Sequence, residues 1–155
     1  MDDRQKGYSG VNRFDQVDAT GEADKHLEYL DRVEALPGVV ARRRRSYERL
    51  ALRPGMTVAE IGCGAGTAAR ELATMVGPEG GVHGFDISEQ LIAHARARAA
   101  AAAGKQLDFR VADAAALPLP DASLDGYRAE RVYMHPEVSP FFTCSGVSPV
   151  VCRSL

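Results

Sequence analysis

Residues 58–72 read VAEIGCGAGTAAREL, and this stretch determines the fold predicted for the whole chain. A short apolar run carries an acid at Glu60, three glycines alternate at positions 62, 64 and 66, and a helical pattern follows. A strand, a glycine turn and a helix form the first unit of an open parallel α/β sheet. Ligands of such sheets bind beyond the carboxyl ends of the strands, where this turn lies. We therefore expect the glycine loop to lie at a binding site.

Strands and helices continue to alternate along residues 53–135, which we predict to form a single α/β core. Apolar periodicity and the turn-rich segment LPLPDAS define the elements. The predicted strands are 57–61, 82–86, 107–111 and 124–133, and the predicted helices are 65–76 and 88–103. This alternation predicts a parallel sheet with helices on both faces.

The first 52 residues are predicted to form a helical lid. Residues 1–19 are polar and mixed, whereas Thr20 is expected to cap a helix that stops before Pro37. Apolar residues recur at helical spacing in two helices: Leu27, Leu30 and Val33 in the first, and Val40, Tyr47 and Leu50 in the second. The arginine run at 42–45 is interpreted as a solvated face, with phosphate or membrane binding as the alternative.

Composition limits the classes of partner. A chain of 155 residues with a net charge of −2 and 45% hydrophobic residues is typical of one globular domain without a nucleic-acid-binding field. No apolar run approaches the roughly 20 residues of a membrane helix, and the N-terminus MDDRQKGYSG lacks the apolar core of a signal peptide. We expect a cytoplasmic protein with small-molecule partners. The three cysteines show no metal-site spacing and are expected to be reduced.

The residues around the glycine loop favour one class of ligand. A dinucleotide loop reads GxGxxG, but Thr67 stands where its third glycine belongs, and this disfavours NAD. Glu60 would repel a pyrophosphate and attract an ammonium group. Asp86, at the end of the second predicted strand, can accept hydrogen bonds from both hydroxyls of a ribose. A nucleoside that carries an amino acid and no phosphate fits these demands, as S-adenosylmethionine does; a simple tight turn without a ligand is the alternative.

The motifs resemble those of the class I S-adenosylmethionine-dependent methyltransferases. The matching segments are VAEIGCGAG, VHGFDIS and FRVADAAALPLPDASLDGYRAERVYMH, in the family's order and spacing across residues 53–135. The resemblance implies a Rossmann-like fold, S-adenosyl-L-methionine as the cofactor and methyl transfer as the reaction. The segment RAERVYMH is similar to the branch that includes quinone and natural-product enzymes.

The resemblance also implies a set of cofactor-binding residues. Those at the methionine end are Glu60, beside the amino group, and Gly62, Gly64 and Gly66, beneath the chain. Those at the adenosine end are Asp86 on the ribose hydroxyls, Ile87 beside the adenine, Asp113 on the adenine amino group and Ala114 through its amide. Each has a purely structural alternative, such as a turn or cap for Asp113, and Asp121 and Asp125 are interpreted as turn residues.

The acceptor is expected to be a small molecule. His135 follows the fourth predicted strand and is the candidate to deprotonate or hydrogen-bond the acceptor, with an ordinary surface or packing histidine as the alternative. Tyr8, Tyr29 and Tyr133 are candidate pocket walls. Neither a basic groove nor the NPPY-type stretch of amino-group methyltransferases is present, which disfavours protein or nucleic-acid acceptors.

Residues 136–155 depart from the family pattern. The segment is rich in proline and serine and carries neither helical nor alternating periodicity, where the family continues with strands five to seven. We interpret it as an irregular tail of a truncated or frameshifted product, with a true shorter variant or a partner-completed half as alternatives. The predicted sheet then has the order 3-2-1-4, and its fourth strand is an edge that favours self-association. A working enzyme, an inactive cofactor-binding fragment and a folding-defective remnant all remain open.

Overall fold

The computed structural model describes residues 16–101 and 106–130. The helices are α1 (Val17–Thr20), α2 (Ala23–Glu34), α3 (Pro37–Leu50), α4 (Thr67–Val76) and α5 (Glu89–Ala101). The strands are β1 (Thr57–Ile61), β2 (Gly81–Asp86), β3 (Leu107–Val111) and β4 (Gly126–Ala129). Within the described residues, every strand and core helix predicted from the pattern is present.

The boundaries differ from the prediction where backbone geometry intervenes. Helix α4 begins at Thr67 and not at residue 65, because Gly66 has a left-handed backbone (φ 79°) and ends the turn. Strand β4 is shorter than the predicted 124–133, and residues 131–133 lie outside the described residues. Asp125 precedes it and accepts a hydrogen bond from the Thr57 amide at 2.7 Å, so its side chain joins the starts of β4 and β1.

The four strands form one parallel sheet in the order β3-β2-β1-β4, as predicted. Glu60 of β1 lies opposite Gly84 of β2 on one side and Arg128 of β4 on the other. Asp86 at the end of β2 lies opposite Val111 at the end of β3. The carboxyl ends of all four strands therefore meet at one edge of the sheet.

Helices α3, α4 and α5 cover one face of the sheet. Their buried residues form a core with Val58, Val82 and Phe109. On the opposite face, Ile61 and Phe85 belong to a second core against which only strand and loop residues of the described part pack. Right-handed crossovers place α4 and α5 on the same face, because the chain moves along the sheet in one direction from β1 through β2 to β3. The connection from β3 to β4 runs in the opposite direction and therefore crosses the other face, and it contains no helix.

The N-terminal helices pack over the glycine loop. Val17 of α1 and Leu27 and Leu30 of α2 form a third core with Ala65 and Leu91. Ala65 belongs to the loop after β1 and Leu91 to the first turn of α5, so α1 and α2 contact the carboxyl edge of the sheet. Their role as a lid over the acceptor stays a prediction.

The prediction that Thr20 caps α2 is wrong. Gly21, with φ 66°, ends α1, so the chain turns before α2 and Glu22 occupies its N-cap position. The Thr20 hydroxyl donates instead to the Val17 carbonyl at 3.0 Å. Pro37 does separate the two helices, since it begins α3, where its fixed φ suits the first helical turn.

The arginine run is solvated with one exception. Arg42, Arg44 and Arg45 are exposed as predicted, but Arg43 is buried. Arg43 lies four residues before Tyr47 on the apolar face of α3, so the helical period carries it inward. It binds Glu71 of α4 through two hydrogen bonds of 2.9 and 3.0 Å, and this pairing makes its burial possible.

Candidate cofactor-binding site

The glycine loop has an irregular backbone that brings it close to the sheet. Gly62, Gly64 and Gly66 all have positive φ, at 69°, 52° and 79°. A Cβ on Gly66 would lie 2.8 Å from Cζ of Phe109, so only glycine fits there. The loop is fastened to β2 by a hydrogen bond of 2.9 Å from the Cys63 amide to the Phe85 carbonyl.

Asp86 links the glycine loop to the start of α5. One carboxylate oxygen accepts the Gly64 amide at 2.8 Å, and the other accepts the Ser88 amide at 3.0 Å. Burial raises the pKa of Asp86, whereas the amide hydrogen bonds oppose the rise. The Ile87 amide also hydrogen-bonds to this carboxylate. A carboxylate offers about four lone-pair sites, so it can still accept a ligand hydroxyl. The structure therefore brings the predicted ribose acid to the predicted loop.

Two apolar side chains stand exposed beside this carboxylate. Ile87, predicted to flank the adenine, is 54% exposed, and Val111 is 43% exposed. They follow or end neighbouring strands, and the Ala112 amide donates to the Asp86 carbonyl at 2.9 Å. Exposed aliphatic groups beside a few polar ones are typical of a site for a flat apolar ring. The alternating pattern of β3 did not predict that the Val111 side chain would be exposed.

Asp113 and Ala114 begin the loop after β3. One Asp113 oxygen accepts the Ala115 amide at 2.8 Å, and the Asp113 carbonyl accepts the Ala116 amide at 3.0 Å. Asp113 therefore does form the turn that was its structural alternative, while its side chain is exposed at the carboxyl edge. Ala114 packs against the second core. Their roles toward adenine remain predictions.

Glu60 is almost fully buried in the middle of the sheet, with 3% of its surface exposed. Its Oε1 accepts a hydrogen bond from Nη1 of Arg128, the residue opposite it on β4. Its Oε2 is buried and has no hydrogen-bond partner among the described residues. Burial raises the pKa of Glu60 to about 7, and the neighbouring Arg128 opposes the rise. Sequence reasoning found the acid and missed its partner.

A second ion pair, between the buried Arg43 and the half-buried Glu71, lies on α3 and α4. The Tyr47 hydroxyl donates to Glu71 at 2.7 Å, on the same carboxylate that Arg43 holds. Burial and the Glu71 carboxylate raise the pKa of Tyr47. Burial would raise the pKa of Glu71, but Arg43 and Tyr47 hold it below its usual value. This pair is electrically balanced and belongs to the core between α3 and α4.

Asp18 of α1 caps α5 from 70 residues away. The Ser88 hydroxyl donates to its Oδ1 at 2.6 Å, and the Glu89 amide donates to its Oδ2 at 2.7 Å. Burial would raise the pKa of Asp18, but these hydrogen bonds lower it overall. Helix α1 is thereby attached to Ser88, two residues after Asp86. No local sequence signal could have identified a contact of this span.

Of the other residues that the sequence analysis singled out, some lie within the described part of the chain and some lie outside it. Tyr29 lies partly buried on α2, while His135, Tyr8 and Tyr133 lie outside the described residues, as do Cys144 and Cys152. Cys63 is a free, buried thiol whose pKa is raised first by burial and then by Asp86. Within residues 16–101 and 106–130, no group of three or more His, Cys, Asp or Glu side chains could hold a metal ion. No helix of that part is long and apolar enough to span a membrane.

Comparison with known proteins identifies the family of this site. A profile described as a methyltransferase domain matches residues 58–143, which is more than half of the chain. The chain belongs to the methyltransferase domain family. Its fold is that of the class I S-adenosylmethionine-dependent enzymes, because the sheet superimposes on a crystal structure of a SAM-dependent methyltransferase from Aquifex aeolicus. That likeness has a TM-score of 0.53 and 28% identity, and it covers 56% of this chain and 46% of the other.

Two curated relatives are similar to parts of this methyltransferase chain. The chain is 32% identical over 109 residues to an uncharacterized 37.1 kDa protein in a transposon of Streptomyces fradiae, covering 70% of this chain and 31% of that protein. It is 34% identical over 85 residues to a demethylmenaquinone methyltransferase of Desulfitobacterium hafniense, covering 54% and 34%. The chain thus spans about a third of the length of these relatives.

Proposed function

We propose that this methyltransferase domain binds S-adenosyl-L-methionine and transfers its methyl group to a small molecule. The observation that carries the proposal is the assembly, at one sheet edge, of three features: the positive-φ glycine loop, the Asp86 carboxylate, and the buried Glu60 oxygen that has no hydrogen-bond partner among the described residues. An ammonium, a ribose and an apolar ring are the three groups that such a set can bind together.

The residues present fit each part of the cofactor. Gly62, Gly64 and Gly66 allow the left-handed turns by which the loop backbone can approach a ligand closely. Glu60 offers a buried acceptor to the amino group, and Asp86 offers acceptors to the ribose. The exposed Ile87 and Val111 side chains offer an apolar surface to the adenine.

The protein's part in the reaction is to position the reactants. When bound, the cofactor supplies a methyl group on a positively charged sulfur, which is already a good leaving group. The protein must hold an acceptor atom in line with that methyl group and exclude water, and positioning of this kind can remove roughly 7 to 11 kcal/mol of barrier. His135 is our candidate to hydrogen-bond or deprotonate the acceptor, and α1 and α2 are our candidate lid.

A quinone or related natural product is the acceptor class that we favour. Support comes from the demethylmenaquinone methyltransferase relative at 34% identity. The net charge of −2 also disfavours a nucleic-acid acceptor. Incubation with radiolabelled S-adenosylmethionine should place label in the small-molecule fraction of a cell extract. Label chiefly on RNA, DNA or protein would contradict this choice.

Calorimetric titration tests cofactor binding directly. We expect the chain to bind S-adenosylmethionine and S-adenosylhomocysteine, and to bind NAD much more weakly. Asp86→Ala removes charge-assisted hydrogen bonds of about 1.5 to 3 kcal/mol each, so affinity should fall at least roughly tenfold. Asp121→Ala, in the exposed turn before β4, is the matched control and should leave affinity unchanged. Binding of NAD without a response to S-adenosylmethionine would disprove the proposal.

A cofactor-binding fragment without turnover is the second candidate. The observation that favours it is the position of β4 at an edge of the described sheet. Such a fragment would bind S-adenosylmethionine and S-adenosylhomocysteine in the calorimetric titrations but would transfer no labelled methyl group. A working enzyme would do both, so the titrations and the labelling experiment together separate the two functions.

A further inference from the structure

Arg128 is held in place from several sides inside the sheet. Its Nε donates to the Ser46 hydroxyl of α3 at 2.7 Å, its Nη1 donates to Glu60, and its Nη2 forms an ion pair with Glu130. Its guanidinium carbon lies 5.6 Å from the centre of the Tyr47 ring. With 2% of its surface exposed, Arg128 has almost no freedom to reorient.

The cluster of Glu60, Arg128 and Glu130 has more negative than positive charge. Two carboxylates face one guanidinium, and the nearby Arg43 is already engaged by Glu71. Oε2 of Glu60 and Oε1 of Glu130 are both buried and without a hydrogen-bond partner among the described residues. A buried net negative charge with open acceptors is unfavourable unless a cation or a proton joins it.

The position of the cluster relates it to the cofactor site. Glu60 stands two residues before Gly62, and Glu130 follows the carboxyl end of β4. Arg128 engages Oε1 of Glu60, which leaves Oε2 as the oxygen without a hydrogen-bond partner among the described residues. One fixed acceptor is thus presented beside the first glycine.

We propose that Arg128 is a positioning residue for the cofactor: it holds Oε1 of Glu60 and places a positive charge beside this carboxylate, so that Glu60 Oε2 accepts the ammonium group of the amino-acid part. The inference rests on the proposed function and adds the residue that prepares its amino-group subsite. Glu130 lies on the other side of Arg128 and completes the cluster. It lies at the end of β4, where we expect the methyl-accepting substrate to bind.

Charged groups on every neighbouring element affect the protonation of Glu60. Burial raises its pKa and Arg128 of β4 lowers it, while Glu34 at the end of α2 raises it and Arg43 of α3 lowers it. Glu130 lies against Arg128, and Glu71 of α4 is paired with Arg43. Of these groups, Arg128 is the cation in direct contact with Glu60, so its removal should have the largest effect.

Binding of two probes to the full chain tests the proposal. S-adenosylhomocysteine carries the ammonium group, whereas 5′-methylthioadenosine has the adenosine and lacks the amino acid. For wild type, affinity for S-adenosylhomocysteine should fall as the pH drops below about 7, by up to about tenfold per pH unit, because Glu60 takes up a proton. Affinity for 5′-methylthioadenosine should not follow this titration.

Arg128→Gln is the decisive variant. Loss of the adjacent cation should move the midpoint of the pH dependence upward by about 1 to 3 units and weaken S-adenosylhomocysteine binding at least roughly tenfold at neutral pH. Binding of 5′-methylthioadenosine should remain within about twofold of wild type. Arg128→Lys, which keeps the charge, should restore the midpoint, and Glu60→Gln should bind weakly without this pH dependence.

The matched control is Arg43→Gln, which removes another buried arginine from its pairing with a glutamate, the half-buried Glu71. It should lower the melting temperature and leave the pH midpoint close to wild type. Equal losses for both probes in Arg128→Gln, or an unshifted midpoint, would show that Arg128 is only structural and overturn the inference. If Arg128→Gln does not fold, Arg128→Lys and Glu60→Gln decide by the same criteria. Failure of wild type to bind either probe would overturn the proposed function and the inference with it.

Discussion

At the scale of single residues, Gly66 is fixed by both its backbone and its neighbour. Its φ is 79°, and a Cβ there would meet the Phe109 ring at 2.8 Å. Gly66→Ala should lower the free energy of unfolding by about 1 to 3 kcal/mol, since overpacking adds to left-handed strain. Urea unfolding without ligand measures this, and the double variant with Phe109→Leu should recover part of the loss.

Gly38→Ala is the control for that substitution. A Cβ at Gly38 meets nothing within 4 Å, and its φ is not positive. Because alanine is the better helix former, Gly38→Ala should be neutral or stabilise α3 by up to about 1 kcal/mol. Equal stability of the two alanine variants would refute the packing argument.

Also at this scale, Glu60 makes stability depend on pH. Its pKa rises from 4.5 to about 7 on folding, so between these values the folded chain binds more protons than the unfolded chain. The contribution of Glu60 to stability therefore falls as the pH rises through this interval. Urea midpoints measured at both ends should fall more for wild type than for Glu60→Gln. A parallel response of the two proteins would exclude the assigned titration.

At the scale of elements, the attachment of α1 to α5 depends on Asp18. Asp18→Ala should cost about 0.5 to 2 kcal/mol, as the loss of an N-cap does, and speed hydrogen exchange at the Glu89 and Gln90 amides. The pKa of Asp18 is lowered, so this stabilisation is present at neutral pH and is lost as the pH falls below about 3.8. Asp24→Ala, at an exposed position of α2, should leave those amides protected. Unchanged exchange in Asp18→Ala would contradict the long-range cap.

At the scale of the whole molecule, the open side of the sheet governs association. β4 is the edge strand of the described sheet, and its second side has no described strand to receive its hydrogen bonds. We expect concentration-dependent self-association in sedimentation measurements, accompanied by rising hydrogen-exchange protection of the β4 amides. Protection of the central β1 amides is the internal control and should not change. A single species at all concentrations would argue against pairing through β4.

The amino-acid sequence by itself determined the order of elements and the glycine loop. Apolar periodicity is local, so β1 was predicted at its observed bounds, and the strand order follows the parallel alternation. Glu60 and Asp86 were recognisable because each lies at or next to the last residue of a strand, before a turn. Their predicted roles toward a ligand come from the chemistry of carboxylates and still await the titrations.

Only the tertiary structure decided which charges meet. Arg128 lies 68 positions from Glu60 and became its partner through the register of β1 and β4, which no local pattern specifies. Asp18 reached α5 in the same way, across 70 residues. Arg43 was assigned to solvent because its run of arginines is polar, yet the helical period placed it opposite Glu71. Long-range pairing depends on the packing of distant segments, and a linear pattern reports only what each segment does alone.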